Sequence, residues 1–286
     1  MLRSIRMVIG WTTLPPGRSR LAGGPGHCRV GRLPRQRLRM QPDEYLKLAA
    51  VEDQMWYFRA LHAHVARVLG AHLGERAAVL DAGCGTGGLI RRLAARWPAW
   101  RWTGLDSSPL AIELARERCG SSAEVCPGDV AKLPFGEAAF DAVVSADVLY
   151  QVDDDVAALR EFYRVLRPGG VIVLNLPAYQ WLWSYHDDAV QSRRRYARRE
   201  LLAKLRAAGF AATHATHWNT LPFPLVVLRR KLLPAPHGGS DVRFYPPLVE
   251  AAFNGMMGLE RAWLRLAGPL PFGSSILALA KKPHQQ

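Results

Sequence analysis

Apolar positions along the chain fall into alternating helix-like and strand-like stretches. Over residues 43–70, Leu46, Leu48, Ala49, Met55, Phe58, Leu61, Val65, Val68 and Leu69 recur at spacings near three and four. This spacing predicts one helical segment, with Gly70 and Gly74 as stops. Residues 77–80 form a short apolar run ending at Asp81, followed by a glycine cluster and a helix over 88–96 closed by Pro98. A second strand over 102–105 ends at Asp106, after which Ser107-Ser108-Pro109 supplies a serine N-cap and a proline in the first turn. A short third strand is expected at 124–126. The near-continuous apolar run 140–146 is what a parallel strand buried on both faces requires. A helix follows from about Asp153 to Leu166, and Pro168-Gly169-Gly170 turns the chain into a strand at 171–174. Residues 198–208 predict a helix capped by Gly209, and 211–218 and 276–280 are the last strands. Seven strands alternating with helices imply an α/β fold: a doubly wound, Rossmann-like seven-stranded sheet. A helical cap precedes it, and an insertion at 219–275 interrupts it before the last strand. The expected domain is 40–286, with its core at 75–218 and 276–281.

Residues 1–39 stand apart. They contain Pro15-Pro16-Gly17, Gly23-Gly24-Pro25-Gly26 and nine arginines, with no acid and no periodicity. Three readings fit: a disordered basic arm, an arginine-rich targeting peptide, or translation starting at Met40. The last is preferred, because a patterned helix begins just after Met40. No secretory cleavage site follows the brief apolar run at 7–14.

Composition narrows the class. With 49% hydrophobic and 22% charged residues in 286, the chain can bury a sizeable core and is not globally disordered. The formal charge of +14 suggests nucleic acid or an anionic surface, but the first 39 residues carry +9, leaving +5 for the rest. No nucleic-acid partner is therefore expected, although binding through the basic arm stays an alternative. Cys28, Cys84, Cys119 and Cys126 form no C-x-x-C pair, which reads as reduced thiols in a cytoplasmic protein. His62-x-His64 reads as surface histidines on a helix, and no metal site is expected.

The chemistry begins at Asp81-Ala82-Gly83-Cys84-Gly85-Thr86-Gly87-Gly88, between a strand and a helix. Glycines there admit a ligand close to the backbone, and the helix start offers free N–H groups. The run fits both G-x-G-x-G and the dinucleotide fingerprint G-x-G-x-x-G. Asp106, ending the next strand, is placed to accept hydrogen bonds from ribose hydroxyls in either case. An NAD(P)-dependent oxidoreductase is thus the alternative, though no Tyr-x-x-x-Lys pair follows the central strands.

Four motifs separate the two. Val79 to Gly87 resembles the first motif of class I S-adenosylmethionine-dependent methyltransferases, and Gly128-Asp129-Val130-Ala131-Lys132-Leu133-Pro134 their adenine loop. Phe140-Asp141-Ala142-Val143-Val144-Ser145 resembles their central strand, and Leu166-Arg167-Pro168-Gly169-Gly170 the turn before the fifth. The resemblance covers about a third of the chain. It implies S-adenosylmethionine as cofactor, held by Asp81, Gly83, Cys84, Gly85, Gly87, Asp106, Ser107, Asp129, Val130 and Ala146. Asp81 would sit near the methionine ammonium, Gly83 and Gly85 against the methionine part, Asp106 at the ribose and Asp129 at the adenine amino group. Where relatives often have Glu-His after the fourth strand, this chain has Tyr150-Gln151.

A narrower resemblance, to a bacterial subgroup of the type 11 methyltransferases, rests on residues 52–59, 177–187 and Arg193-Arg194-Arg195-Tyr196. It implies a small-molecule acceptor or one linked to lipid or sugar, and sets no oligomeric state. The bland alternative is a buried aromatic turn with solvated arginines. Packing is expected of Trp181 and Trp183, while His186 and Tyr196 stay open between packing and function. If the acceptor is a hydroxyl, a base must take its proton. His186 is the first candidate, Tyr150 the second, with Tyr196 a further catalytic candidate on the acceptor side. Tyr57 could stabilise the sulfonium through its ring face.

The insertion is apolar and cationic. Residues 221–228 run into Arg229-Arg230-Lys231. After Pro246-Pro247, a helix carries Leu248, Val249, Ala252, Phe253, Met256, Leu259, Trp263, Leu264 and Leu266, with Arg261 and Arg265 among them. Neither run reaches the ~20 apolar residues that span a bilayer. Two readings stand: a helical cap packed on the domain, or a lid resting on an anionic inner-membrane surface.

Overall fold

The computed structural model describes residues 41–234 and 240–284. The arginine-rich segment 1–39, and with it the reading of a start at Met40, lies outside the described residues.

Seven strands form one sheet in the order β3-β2-β1-β4-β5-β7-β6. The strands are β1 (Ala78–Ala82), β2 (Arg101–Asp106), β3 (Ala123–Pro127), β4 (Phe140–Ala146), β5 (Leu166–Pro177), β6 (Ala211–Trp218) and β7 (Ser275–Lys281). β1 to β5 pair in parallel, and β7 runs antiparallel between β5 and β6. Alternate residues of each strand feed two cores: Leu80 and Val143 on one face, Val79 and Val144 on the other. The first face is covered by α5 (Asp155–Val165) and α7 (Arg198–Ala207) through Leu159, Phe162, Leu201 and Leu205. The second is covered by α2 (Trp56–His72), α3 (Gly88–Arg96) and α4 (Pro109–Cys119) through Leu61, Val65, Ile90 and Ile112. Burial on both sides is why β1 and β4 are mostly apolar, with Asp81, Asp141 and Ser145 the exceptions.

β5 is longer than residues 171–174. It begins at Leu166, before the Pro168-Gly169-Gly170 turn, and its register against β4 shifts between Phe140 and Ala142.

A second difference lies at the N-terminal cap. The single helix expected over 43–70 is two, α1 (Pro42–Val51) and α2, with a break at residues 52–55. Glu52 and Asp53 turn inward there. Glu52 accepts from the Thr86 hydroxyl at 2.6 Å and pairs with Arg118, while Asp53 reaches Arg91 at 2.5 Å and Arg118 at 2.9 Å. A helix continued through this point would carry both carboxylates off the arginines. The apolar spacing hides the break because it resumes in phase on the other side.

α2 also corrects the reading of its histidines. His62 and His64 are buried, not on the surface, because the helix is covered by the sheet on one side and by α9 (Pro247–Leu266) on the other. Burial pushes both imidazoles down to about 3, so they stay neutral.

Between β6 and β7 lie α8 (Phe223–Val227), a π-helical turn over 228–232, and α9. Among the described residues, no helix is long and apolar enough to cross a membrane.

Candidate active site

The chain leaves β1 for β2 and β3, then returns to place β4 beside β1. At such a reversal the loops leaving the two strands diverge, and open α/β sheets bind ligands in that crevice. A cavity of about 520 Å³ occupies it, running from the loop after β1 to the insertion.

One end of the cavity is set by the glycine loop. Gly83 has φ of +90°, and a Cβ there would lie 2.3 Å from Val148, so only glycine lets the loop pass the turn after β4. Asp106 holds the loop closed: it accepts from Gly85 N–H and from Ser108 N–H, both at 2.9 Å. Asp81 lies beneath, buried, with Oδ2 lacking any partner. Burial, then the charges of Asp106 and Glu52, push its carboxyl up to about 8. Of the residues expected to hold a cofactor, Asp81, Gly83, Cys84, Gly85, Asp106, Ser107, Asp129, Val130 and Ala146 all line the cavity. Gly87 does not; it opens α3 at φ +81°, where a Cβ would strike Cys119 Sγ at 2.7 Å.

This end has a definite chemical preference. Three carboxylates, Asp81, Asp106 and Glu52, face the glycine loop, one oxygen is unsatisfied, and burial disfavours the charge of each. A ligand carrying positive charge offsets that cost. A pyrophosphate would add to it. The residues present therefore fit a cationic cofactor such as S-adenosylmethionine, with its ammonium and sulfonium groups, and not a dinucleotide.

The other end is set by the turn after β4. Asp147 adopts φ +58°, unusual for a residue other than glycine. Its carboxylate is held by two donors: Tyr57 Oη–H at 3.0 Å on Oδ2 and Asn175 Nδ2–H at 2.9 Å on Oδ1. Trp218 in turn donates from Nε1 to Asn175 Oδ1 at 2.8 Å and stacks on Tyr57 with ring centroids 5.1 Å apart. Burial outweighs these hydrogen bonds and raises Asp147 to about 6, inside the range useful to a general base. No sequence motif marked Asp147. Its signal was positional only: an acid directly after the central strand.

The three catalytic candidates from sequence are placed differently. His186, on α6 (Tyr185–Ala189), lines the cavity, but its Nδ1 accepts from Asp241 N–H at 3.1 Å and its proton sits on Nε2. Burial and the nearby Arg230 lower it to about 4, so it is a neutral donor rather than a ready base. Tyr150 also lines the cavity, and burial raises its phenol far above neutrality, which keeps it protonated. Tyr196 is not among the lining residues. Its ring belongs to the core, and its hydroxyl donates to Asp155 at 2.7 Å.

The segment carrying these residues departs from a buried turn with solvated arginines. Trp181 is half exposed. Arg195 is buried in the cavity wall, its Nη1 donating to both Asp187 oxygens at 2.7 and 3.0 Å and its Nε to Ala178 O at 2.8 Å. Arg229 and Arg243 reach the wall from the insertion, and neither has an ion pair among the described residues.

The sheet order, the acid-lined glycine loop and the crevice between β1 and β4 are those of the Rossmann-like methyltransferase fold. Comparison with known proteins agrees. Residues 79–170 match the model of a family described as the methyltransferase domain. It is 36% identical over 174 residues to malonyl-[acyl-carrier protein] O-methyltransferase of Serratia marcescens, covering 58% of this chain and 66% of that protein. It is 33% identical over 131 residues to demethylmenaquinone methyltransferase of Staphylococcus aureus, covering 43% of this chain and 54% of that one. The chain thus spans less than two thirds of these relatives. Phosphoethanolamine N-methyltransferase 2 of Haemonchus contortus, solved with S-adenosyl-L-methionine, shares the fold with a TM-score of 0.55 at 16% identity, covering 78% of this chain and 52% of that one.

Proposed function

We propose that this protein transfers the methyl group of S-adenosylmethionine to an oxygen of a small-molecule acceptor, or of one linked to lipid or sugar. The observation that carries the cofactor assignment is the unpartnered, buried Asp81 oxygen among three carboxylates. Asp81 would take the ammonium, Gly83 and Gly85 the methionine chain, Asp106 the ribose and Asp129 the adenine. Bound cofactor supplies a methyl on a sulfonium, already a good leaving group, so the protein's task is alignment and proton removal.

Asp147 is the group suited to the proton. It lines the cavity at the acceptor end and, with a carboxyl raised to about 6, is ionised at neutral pH. Tyr57 and Asn175 fix its two oxygens, which leaves their outer lone pairs for an acceptor hydroxyl. His186 Nε2–H and the Tyr150 hydroxyl are donors that can orient the same acceptor. Arg229 and Arg243 suit an anionic group on the acceptor's far side. The Serratia relative is an O-methyltransferase, which supports oxygen as the acceptor atom.

Calorimetric titration tests the first step. S-adenosylmethionine and its demethylated product should bind and NADH should not; NADH binding in their place would overturn the assignment. Labelled S-adenosylmethionine supplied with extracts of the source cells, fractionated by polarity, would then report the acceptor class.

A further inference from the structure

α9 is apolar on two opposite faces. Its inner face packs on α2, with Phe253 stacked on Trp56 at 4.7 Å and Met257 and Leu264 buried beside them. Its outer face carries Leu248, Leu259, Trp263 and Leu266, exposed by 85%, 67%, 54% and 88%. The positions between them on that face, Ala251, Ala252, Gly255 and Ala262, are small and also exposed. At 3.6 residues per turn these eight fall within an arc of about 120°, along a line of about 27 Å. No charged side chain lies inside the arc.

The charges of α9 are sorted to match. Both of its acids are consumed inward. Glu250 accepts from Trp56 N–H at 2.8 Å, and Glu260 accepts from Asn219 N–H at 2.8 Å and Leu221 N–H at 2.6 Å. The cations are left outside: Arg261 and Arg265 flank the stripe, Arg59 of α2 stands beside them, and none has an ion pair among the described residues. The stripe also begins at the cavity rim, since Leu248 stands in solvent and the next residue, Val249, lines the cavity. Leu225 of α8 both lines the cavity and is half exposed.

From this we infer that the outer face of α9 is a docking surface for an anionic lipid membrane, the apolar stripe entering the acyl boundary while Arg261, Arg265 and Arg59 meet the headgroups. An apolar arc of this width with Trp at one side and cations on its flank is the pattern of a helix lying in the interface. A second copy of the chain would bring only more of the same positive charge to that flank. The surface would bring the cavity rim to the lipid, and the inference does not depend on methyl transfer.

Co-sedimentation of the full chain with vesicles tests it, using equal parts phosphatidylglycerol and phosphatidylcholine against phosphatidylcholine alone. The nine arginines of residues 1–39 act equally in every variant, so the comparison is between variants. Leu259→Glu with Trp263→Glu should lower partition into the anionic vesicles by about tenfold or more, and Arg261→Gln with Arg265→Gln by about fivefold per arginine. Melting temperature and cofactor affinity should not move, since these side chains face away from the core and cavity. Equal partition of the double glutamate variant and the parent would overturn the proposal. So would a parent dimer that this variant converts to monomer without loss of vesicle binding, which would assign the stripe to a second copy. Vesicle binding lost with the variant, in a chain that transfers no methyl group, would leave the docking surface standing and remove only the catalytic reading.

Discussion

At the cofactor end of the cavity, Asp81, Gly83, Gly85 and Asp106 come from one strand-loop-helix-strand unit. At the acceptor end, Tyr57, Asp147, His186 with Arg195, and Arg229 come from four separated segments. The two ends differ in charge logic as well. Carboxylates crowd the first, one with an unsatisfied oxygen, while at the second each buried charge has a fixed partner: Asp147 with Tyr57 and Asn175, Arg195 with Asp187. A site that leaves its charge unmet awaits a charged ligand. A site whose charges are met internally is built to hold a geometry and to pass a proton. On the proposed function, binding falls to one end and chemistry to the other, and the split can be broken at either.

The largest effect is expected at Asp147. Asp147→Asn keeps the hydrogen-bonding shape and removes the base, so kcat should fall by about 10²–10⁴-fold, with cofactor affinity within twofold of the parent. The parent rate should fall as pH drops below about 6, where Asp147 takes up its proton, and the variant should lose that limb. A kcat unchanged in Asp147→Asn would move the chemistry elsewhere.

Asp187→Ala comes next, read as stability. It leaves the Arg195 guanidinium buried without its partner, which costs about 3–5 kcal/mol. A urea melt should show that loss, whereas the solvated pair of Arg193 with Asp153 should cost at most about 1 kcal/mol when broken.

Cofactor-end substitutions follow. Asp106→Ala should weaken S-adenosylmethionine binding by about 1.5–3 kcal/mol, the worth of hydrogen bonds to a charged group. Asp81 adds a pH signature. Its carboxyl is raised to about 8 in the folded protein, against about 3.9 in the unfolded chain, so folding without ligand favours its protonated form. That contribution is fully present below the unfolded value and lost as pH rises towards 8. The Asp81 contribution, read as the difference in melting temperature between the parent and Asp81→Asn, should therefore fall between pH 5 and 8, and the cofactor's cation should offset more of that fall at pH 8 than at pH 5. Asp81→Asn should lose the pH dependence of the cofactor's stabilisation. Melting curves with and without cofactor decide this.

The smallest effect is expected at His186. With its imidazole lowered to about 4 and its Nδ1 taken by Asp241 N–H, it carries no charge across the neutral range. His186→Gln, which keeps a donor, should shift KM for the acceptor by no more than about tenfold and leave the pH profile in place. A profile whose limb near 6 moves with His186 instead of Asp147 would reverse the two roles.

Sequence alone determined the sheet, most strand limits and the cofactor loop, because these rest on local requirements. A strand buried on both faces must be largely apolar, as residues 140–146 are apart from Asp141 and Ser145, and a loop crossing Val148 at positive φ must be glycine. Periodicity also found α9, but it counted Leu248, Ala252, Leu259, Trp263 and Leu266 together with Val249, Phe253 and Leu264, and could not say which face would be covered. Only the tertiary structure decided that. It also decided the break at Glu52, the burial of His62, His64 and Arg195, the removal of Tyr196 to the core and the assembly around Asp147. The reason is the same in each case. Whether a side chain is buried, paired or free, and so what its pKa becomes, depends on residues tens to more than a hundred positions away. No local spacing records them until the sheet brings Tyr57, Asp147 and Asn175 to one point.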